Sequence, residues 1–314
     1  MTTADEHLFK DGQCNYDGSG DKPLLERVYI CCPMQGDVLP NSTICGQSSG
    51  ALRIVGGKEA ALNEFPWMAM LLYRNGAKWR HFCAGSLINN RYVLTAAHCV
   101  IDESLQRNGF VLQGVRLGEH NIRTNPDCQD TNGKRRCALP HLDIGVENSI
   151  VHNNYNVVDG KYYNDIALLR LQKPVRYTRA IQPICVLPGA SLTTHYFSNY
   201  PLQIAGWGVT GGSDPNYILS QAKIKGRNSY ECSRRYPILG INTTVQLCAG
   251  GQDGSDTCTG DSGSPLMASM ERGDEEFVYL AGITSYGGSS PCGAAAIYTR
   301  TEKFIEWIQL QIQP

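Results

Sequence analysis

The sequence predicts an all-β protein that ends in a short helix. From Ile54 onward, short apolar runs, many of them alternating, recur between turn signals. The segment 54–314 is too long for one small sandwich but suits a pair of β-barrels. Helical periodicity is convincing only at the C-terminal end. In chain order the strand runs are Trp67–Tyr73, Tyr92–Leu94, Val111–Leu117, Ile166–Leu171, Leu202–Ala205, Val278–Ile283 and Ala296–Thr299. Phe304, Ile305, Ile308 and Ile312 then make one helical face, with Thr301 as the expected N-cap. There is no internal repeat and no low-complexity tract.

Two regions precede this body. Residues 1–33 are short, polar and cysteine-bearing (Cys14, Cys31, Cys32), and residues 34–53 read as a linker with Pro40, Gly46 and Gly50. Apolar residues make up 42% of the 314 and charged residues 18%, so the chain can bury a core. The 28 basic and 29 acidic residues nearly cancel, which gives no overall electrostatic case for a nucleic-acid partner. The longest apolar stretch, Phe65–Tyr73, is far too short for a membrane span. Thirteen cysteines with no C-x-x-C pair point to disulfides in an oxidising compartment. Glycosylation acceptors at Asn41 and Asn242 agree with secretion. The odd cysteine count leaves at least one thiol without a partner in the chain. The start, MTTADEHLFK, is not a signal peptide, so the secreted reading takes the chain as truncated at its N-terminus.

Three residues carry chemistry together that none carries alone. His98 lies in Thr95-Ala96-Ala97-His98-Cys99, Asp165 in Asn164-Asp165-Ile166-Ala167, and Ser262 in Gly260-Asp261-Ser262-Gly263. Singly they read as a core histidine, a strand-edge aspartate and a turn serine. Jointly they supply a nucleophile, a base, and a carboxylate to orient that base, which is what acyl transfer needs. The backbone N–H groups of Gly260 and Ser262 can face a developing oxyanion, a contribution of roughly 3–4 kcal/mol per donor in measured cases.

These motifs, with Arg53-Ile54-Val55-Gly56-Gly57, Gly206-Trp207-Gly208 and Gly260–Pro265, resemble the trypsin/chymotrypsin-like serine endopeptidases over all of 54–314. The chain order His, Asp, Ser excludes the α/β-hydrolase order, and Ser264 stands where a nucleophile elbow has its last glycine. The resemblance implies two six-stranded antiparallel β-barrels with the site in the cleft between them. It implies a zymogen cleaved between Arg53 and Ile54, whose new amino group at Ile54 pairs with Asp261. His81 matches a histidine that holds this aspartate in some zymogens, but Met70 replaces its serine partner. Asp256 matches the pocket floor that selects Arg or Lys, Ser285 a residue that bonds the catalytic aspartate and lines the substrate strand, and Gly287 and Ala296 the two pocket walls, of which Ala296 stands where glycine is usual. The implied bridges are Cys83–Cys99, Cys232–Cys248, Cys258–Cys292, Cys45–Cys185 and Cys128–Cys137.

Leu8-Phe9, Cys14 and Ile30-Cys31-Cys32-Pro33 resemble the second half of a clip domain, a disulfide-knotted module of arthropod extracellular cascade proteases. This divides the chain into residues 1–33, a linker and activation peptide 34–53, and a protease domain 54–314. It implies a downstream zymogen as substrate, an upstream trypsin-like activator and a serpin-type inhibitor. No cofactor is expected for catalysis. A structural calcium ion is expected in the loop after Leu117. Its ligands would be the carboxylates of Glu119 and Asp127 with the carbonyls of Asn121 and Thr124, a solvated charged loop being the alternative. The competing overall reading is a catalytically weak clip-domain homologue that acts as a binding cofactor. A metal-binding cysteine-rich protein finds no ligand cluster of usable spacing.

Overall fold

The computed structural model describes residues 13–16, 28–30, 36–48, 58–131, 133–188, 197–208, 216–235, 240–251, 262–272, 275–287 and 295–314. The first two strands, β1 (Gln13–Tyr16) and β2 (Val28–Ile30), pair antiparallel. A two-residue strand, β3 (Lys58–Glu59), leads into the main body.

The first half forms a closed six-stranded barrel. Its strands are β4 (Met68–Asn75), β5 (Lys78–Leu87), β6 (Tyr92–Thr95), β7 (Val111–Leu117), β10 (Leu142–Val151) and β13 (Ala167–Leu171). A short helix, α1 (Glu103–Arg107), lies between β6 and β7; the Asp102 carboxylate caps it by accepting the N–H groups of Ser104 and Leu105. Two hairpins stand on this barrel: β8 (Cys128–Thr131) with β9 (Lys134–Cys137), and β11 (Asn156–Val158) with β12 (Lys161–Tyr163).

The second half contains β14 (Pro201–Gly206), β15 (Ser220–Arg227), β16 (Gln246–Gly250), β17 (Pro265–Arg272), β18 (Glu275–Gly287) and β19 (Ala295–Arg300). The β14–β15 pairing closes these six into a second ring, and β3 adds to the free edge of β15. Helix α2 (Ser229–Arg235) follows β15, and α3 (Ile305–Gln311) ends the chain. The two-barrel expectation therefore holds.

Burial follows the pattern that predicted the strands. Val93, Leu94, Leu117, Leu168 and Leu169 fill the first barrel; Leu247, Leu266, Tyr279 and Tyr298 fill the second. Trp67 is fully buried between them, and its indole N–H points at Met267 Sδ, 3.2 Å away. Four of the five implied bridges are formed: Cys45–Cys185, Cys83–Cys99, Cys128–Cys137 and Cys232–Cys248. Cys258–Cys292 lies outside the described residues.

The expected N-cap is corrected. Thr301 opens a 3-10 turn, Thr301–Lys303, and Phe304 is the residue that precedes α3, with no side-chain cap. Thr301 is buried with no partner for its hydroxyl, so it cannot serve the helix N–H groups. The apolar face itself is as expected, with Phe304, Ile305, Ile308 and Ile312 all buried.

Candidate active site

His98 sits on a 3-10 turn, Ala97–Cys99, directly after β6. The Cys83–Cys99 bridge ties that turn to β5. Asp165 lies two residues before the first residue of β13, which pairs with β6, so His98 and Asp165 flank neighbouring strands at the same end. Asn164 adopts a left-handed backbone (φ 51°), a conformation asparagine tolerates better than most residues, and turns the chain so that Asp165 faces inward.

The result is a tight carboxylate–imidazole pair. Asp165 Oδ1 accepts the His98 backbone N–H at 2.9 Å, and Oδ2 lies 2.8 Å from His98 Nδ1. The Ser285 hydroxyl, from β18, donates to the same Oδ2 at 2.5 Å. Asp165 is fully buried. Burial alone would raise its pKa, but the charge and hydrogen bond of His98, with the Ser285 hydroxyl and the His98 N–H, hold it below the usual carboxylate range. Burial likewise opposes the imidazolium, yet the Asp165 charge and hydrogen bond outweigh it and raise His98 above its ordinary value. With Nδ1–H committed to Asp165, Nε2 is left to accept a proton.

Ser262 is brought in by its backbone. Its carbonyl accepts the Ala84 N–H at 2.8 Å, and the following Gly263 N–H donates to Thr284 O at 2.9 Å. The turn at Ser262 is thus pinned between β5 of the first barrel and β18 of the second, one residue from Ser285. Gly263 has φ 78°, and a Cβ there would lie 2.3 Å from both Ala84 O and Thr95 Oγ1. Only glycine fits. Among the described residues no hydrogen bond joins the Ser262 hydroxyl to His98; such bonds are often long before substrate arrives.

Tyr162, on β12, was not singled out from sequence. Its ring stacks on the imidazole, with centroids 4.7 Å apart and planes 11° apart. Tyr286 meets Tyr162 edge-on at 6.0 Å. The Thr299 hydroxyl, also unforeseen, donates to the Asp165 carbonyl at 2.9 Å. Threonine at an inward position of a β-strand gives no local sign of such a role.

Gly287 and Ala296 face each other across β18 and β19; a Cβ on Gly287 would lie 3.6 Å from the Ala296 methyl. Arg53, Ile54, Asp256, Gly260 and Asp261 lie outside the described residues, as do Leu8, Phe9, Cys31 and Cys32. His81 is exposed on β5 and Met70 is buried on β4. Asn41 and Asn242 are both exposed.

The four residues read as calcium ligands do cluster. Asp127 Oδ2 accepts the N–H groups of His120 and Asn121, and its Oδ1 the Thr124 hydroxyl at 2.6 Å. Buried Glu119 accepts from the His120 N–H and from Arg116 Nη1 at 3.1 Å. Burial, then the neighbouring Asp127, push Glu119 up to about 7. The carbonyl of Asn121 accepts the Thr124 N–H. Cys83, His98 and Cys99 also bring three ligand-type atoms together, but both sulfurs are spent in a disulfide and cannot bind a metal as thiolates.

The trypsin family's sequence profile matches residues 54–308. Spaetzle-processing enzyme of Drosophila melanogaster is 41% identical over an alignment that covers 100% of this chain and 84% of that protein. Melanization protease 1 from the same fly is 42% identical, covering 100% and 86%. The crystal structure of the Drosophila Grass clip serine protease of the Toll pathway superposes with a TM-score of 0.72 at 30% identity, covering 98% of this chain and 86% of that one. The chain belongs to the trypsin family, as a clip-domain serine protease.

Proposed function

We propose that the protein is a secreted zymogen, activated by cleavage after Arg53, that then hydrolyses peptide bonds after Arg or Lys in an extracellular proteolytic cascade. The observation that carries the catalytic part is the buried Asp165–His98 pair with its Ser285 donor. In the reaction, Ser262 Oγ attacks the scissile carbonyl while His98 Nε2 takes its proton. Asp165 fixes the imidazole and balances its charge. His98 then returns the proton to the leaving amine, and a water repeats the sequence to release the acid. The N–H groups of Gly260 and Ser262 would stabilise the oxyanion. This geometry disfavours the binding-cofactor reading, since a homologue without catalysis has no need of a hydrogen-bonded carboxylate behind the imidazole.

Names of relatives that refer to Spaetzle processing and melanization support a cascade role, with a downstream zymogen as substrate, a trypsin-like activator upstream and a serpin-type inhibitor. The disulfides and the exposed acceptors at Asn41 and Asn242 support secretion, and no described helix is long and apolar enough to cross a membrane. Basic specificity rests on Asp256. Ala296 narrows the slot beside Gly287 by one methyl, which favours a restricted profile.

The test is an active-site titrant applied after cleavage at Arg53. Stoichiometric acylation is expected, and Ser262→Ala should abolish it without loss of fold. Undiminished peptidase activity in that variant overturns the assignment. A peptide-library profile led by Phe, Leu or Ala would overturn the role given to Asp256.

Calcium is a second reading of the 119–127 loop, favoured by two acidic side chains buried side by side. It requires an ion to displace Arg116 from Glu119. Heat of binding at about millimolar calcium would support it; none would leave Arg116 as the cation of this loop.

A further inference from the structure

A cavity of about 1000 Å³ opens on the first barrel, away from the triad residues. Ala61 and Leu62 line one part, Arg179 and Ala180 another, and Gln129, Arg136 and Leu139 of the β8–β9 region a third. Its walls are fixed. The Cys128–Cys137 bridge closes the hairpin at its base, and the Gln129 side chain accepts the Leu62 N–H at 3.0 Å while donating to Ala60 O at 3.1 Å.

The charge around this cavity is one-sided. Lys134, Arg135 and Arg136 are successive exposed residues on β9, and Arg179 is exposed across the cavity. Among the described residues, none of the four makes an ion pair or a side-chain hydrogen bond. The nearby acids are accounted for. Asp130 stands opposite Arg135 on the face of the hairpin turned away from the cavity, since Gln129, Thr131 and Arg136 are the residues that line it. Glu59 is engaged by Gln129 and His120, and Asp143 by Arg116. Asp127 and Glu119 are buried. The whole chain is almost neutral, so three unneutralised cations on one face, Lys134, Arg136 and Arg179, are a departure rather than a general property. Leu139, 63% exposed at the cavity wall, adds an apolar contact.

We propose that this cavity docks an acidic segment with an apolar anchor, carried by the protein that the protease cleaves. The proposal rests on the protease reading. Carboxylates would meet Arg136 and Arg179, which line the cavity, and Lys134 on the same face of the hairpin, while an aliphatic side chain packs on Leu139 and Leu62. Complementary charge of this kind steers encounter and selects partners. The site would let a protein substrate be chosen by more than the residue before the scissile bond.

The test uses the full uncleaved chain and a fluorescent peptide of Asp, Glu and Leu, with an Asn, Gln and Leu peptide as the neutral control. Fluorescence anisotropy should show binding of the acidic peptide only. Reversing the cavity face of the hairpin with Lys134→Glu and Arg136→Glu should weaken it about tenfold or more, Arg179→Glu should weaken it separately, and Arg135→Glu on the other face should weaken it least. Raising salt from about 0.1 M to about 1 M, which shortens the screening length from about 10 Å to about 3 Å, should also weaken it. Leu139→Ser should lower affinity without changing the salt dependence. Equal binding of both peptides, or no effect of charge reversal in a variant with unchanged thermal unfolding, overturns the proposal. So does a sulfated polysaccharide that binds the cavity and cannot be displaced by the acidic peptide. Binding is read without turnover, so an inactive protease would refute the catalytic reading and leave this result standing.

Discussion

At the scale of single residues, the chemistry we propose turns on Asp165. Its Oδ2 serves two partners, the His98 ring and the Ser285 hydroxyl, in a site that excludes water. The pH dependence follows. His98 must be neutral to act as base, and its pKa is raised, so kcat/KM should rise with pH through a value above the ordinary 6.5 and fall about tenfold per unit below it. Folding carries the opposite sign: a raised histidine stabilises below its unfolded pKa, and that stability is lost as pH rises through the folded value. Ser285→Ala removes a hydrogen bond to a charged acceptor, an interaction of about 1.5–3 kcal/mol. The Asp165 charge then falls more fully on His98. The activity limb should therefore move to higher pH, and the turnover plateau should drop. A pH–rate profile checks this; an unchanged limb would show that the Ser285 hydroxyl does not tune the pair.

At the scale of elements, the turn after Ser262 is the least tolerant feature. Gly263 needs a left-handed backbone and sits against Ala84 O and Thr95 Oγ1. Gly263→Ala should cost about 1–2 kcal/mol in backbone strain alone, with overpacking of about 1–3 kcal/mol in addition. Thermal unfolding should shift down and titratable sites should disappear; full titration in this variant would mean that the turn can relax. The same scale shows what the sequence made legible. β7 matches its expected span residue for residue, and β14 and β19 extend theirs by one residue at each end, because their apolar side chains alternate or are wholly buried. β5 escaped detection because its first four residues, Lys78 to His81, are all exposed and only the second half enters the barrel. β10 has no fully buried residue, and its alternation at Leu142, Ile144 and Val146 breaks at Asn148-Ser149. The Asp165–His98 pair was readable because both motifs are local. Tyr162 was not, because its stacking on His98 depends on a hairpin that folds back across the site, turning through positive-φ Asp159 and Gly160.

At the scale of the whole molecule, the two barrels are joined through Asp165 and through the segment that precedes the proposed cleavage site. Asp165 belongs to the first barrel by sequence, yet its carboxylate is bonded from β18 and its carbonyl from β19 of the second. Residues 36–48 also span both. Asn89, between β5 and β6, donates to the carbonyl of Gly36 at 2.7 Å. Gly46 donates its N–H to Pro183 O and accepts the Val278 N–H, both at 2.9 Å, and a Cβ on Gly46 would overlap Val278 O at 2.2 Å. Cys45–Cys185 makes the attachment covalent. Cleavage between Arg53 and Ile54 should therefore free a new N-terminus at position 54 while the residues before it stay bound. On a denaturing gel the cleaved protein should run as one band without reductant and as two bands with it. Cys45→Ser with Cys185→Ser should give two bands in both lanes, yet coelute as one species on gel filtration, because the hydrogen bonds of 36–48 remain. Two bands from the unsubstituted protein without reductant would refute the tether. Separation of the double variant on gel filtration would show that the disulfide alone holds the two chains together.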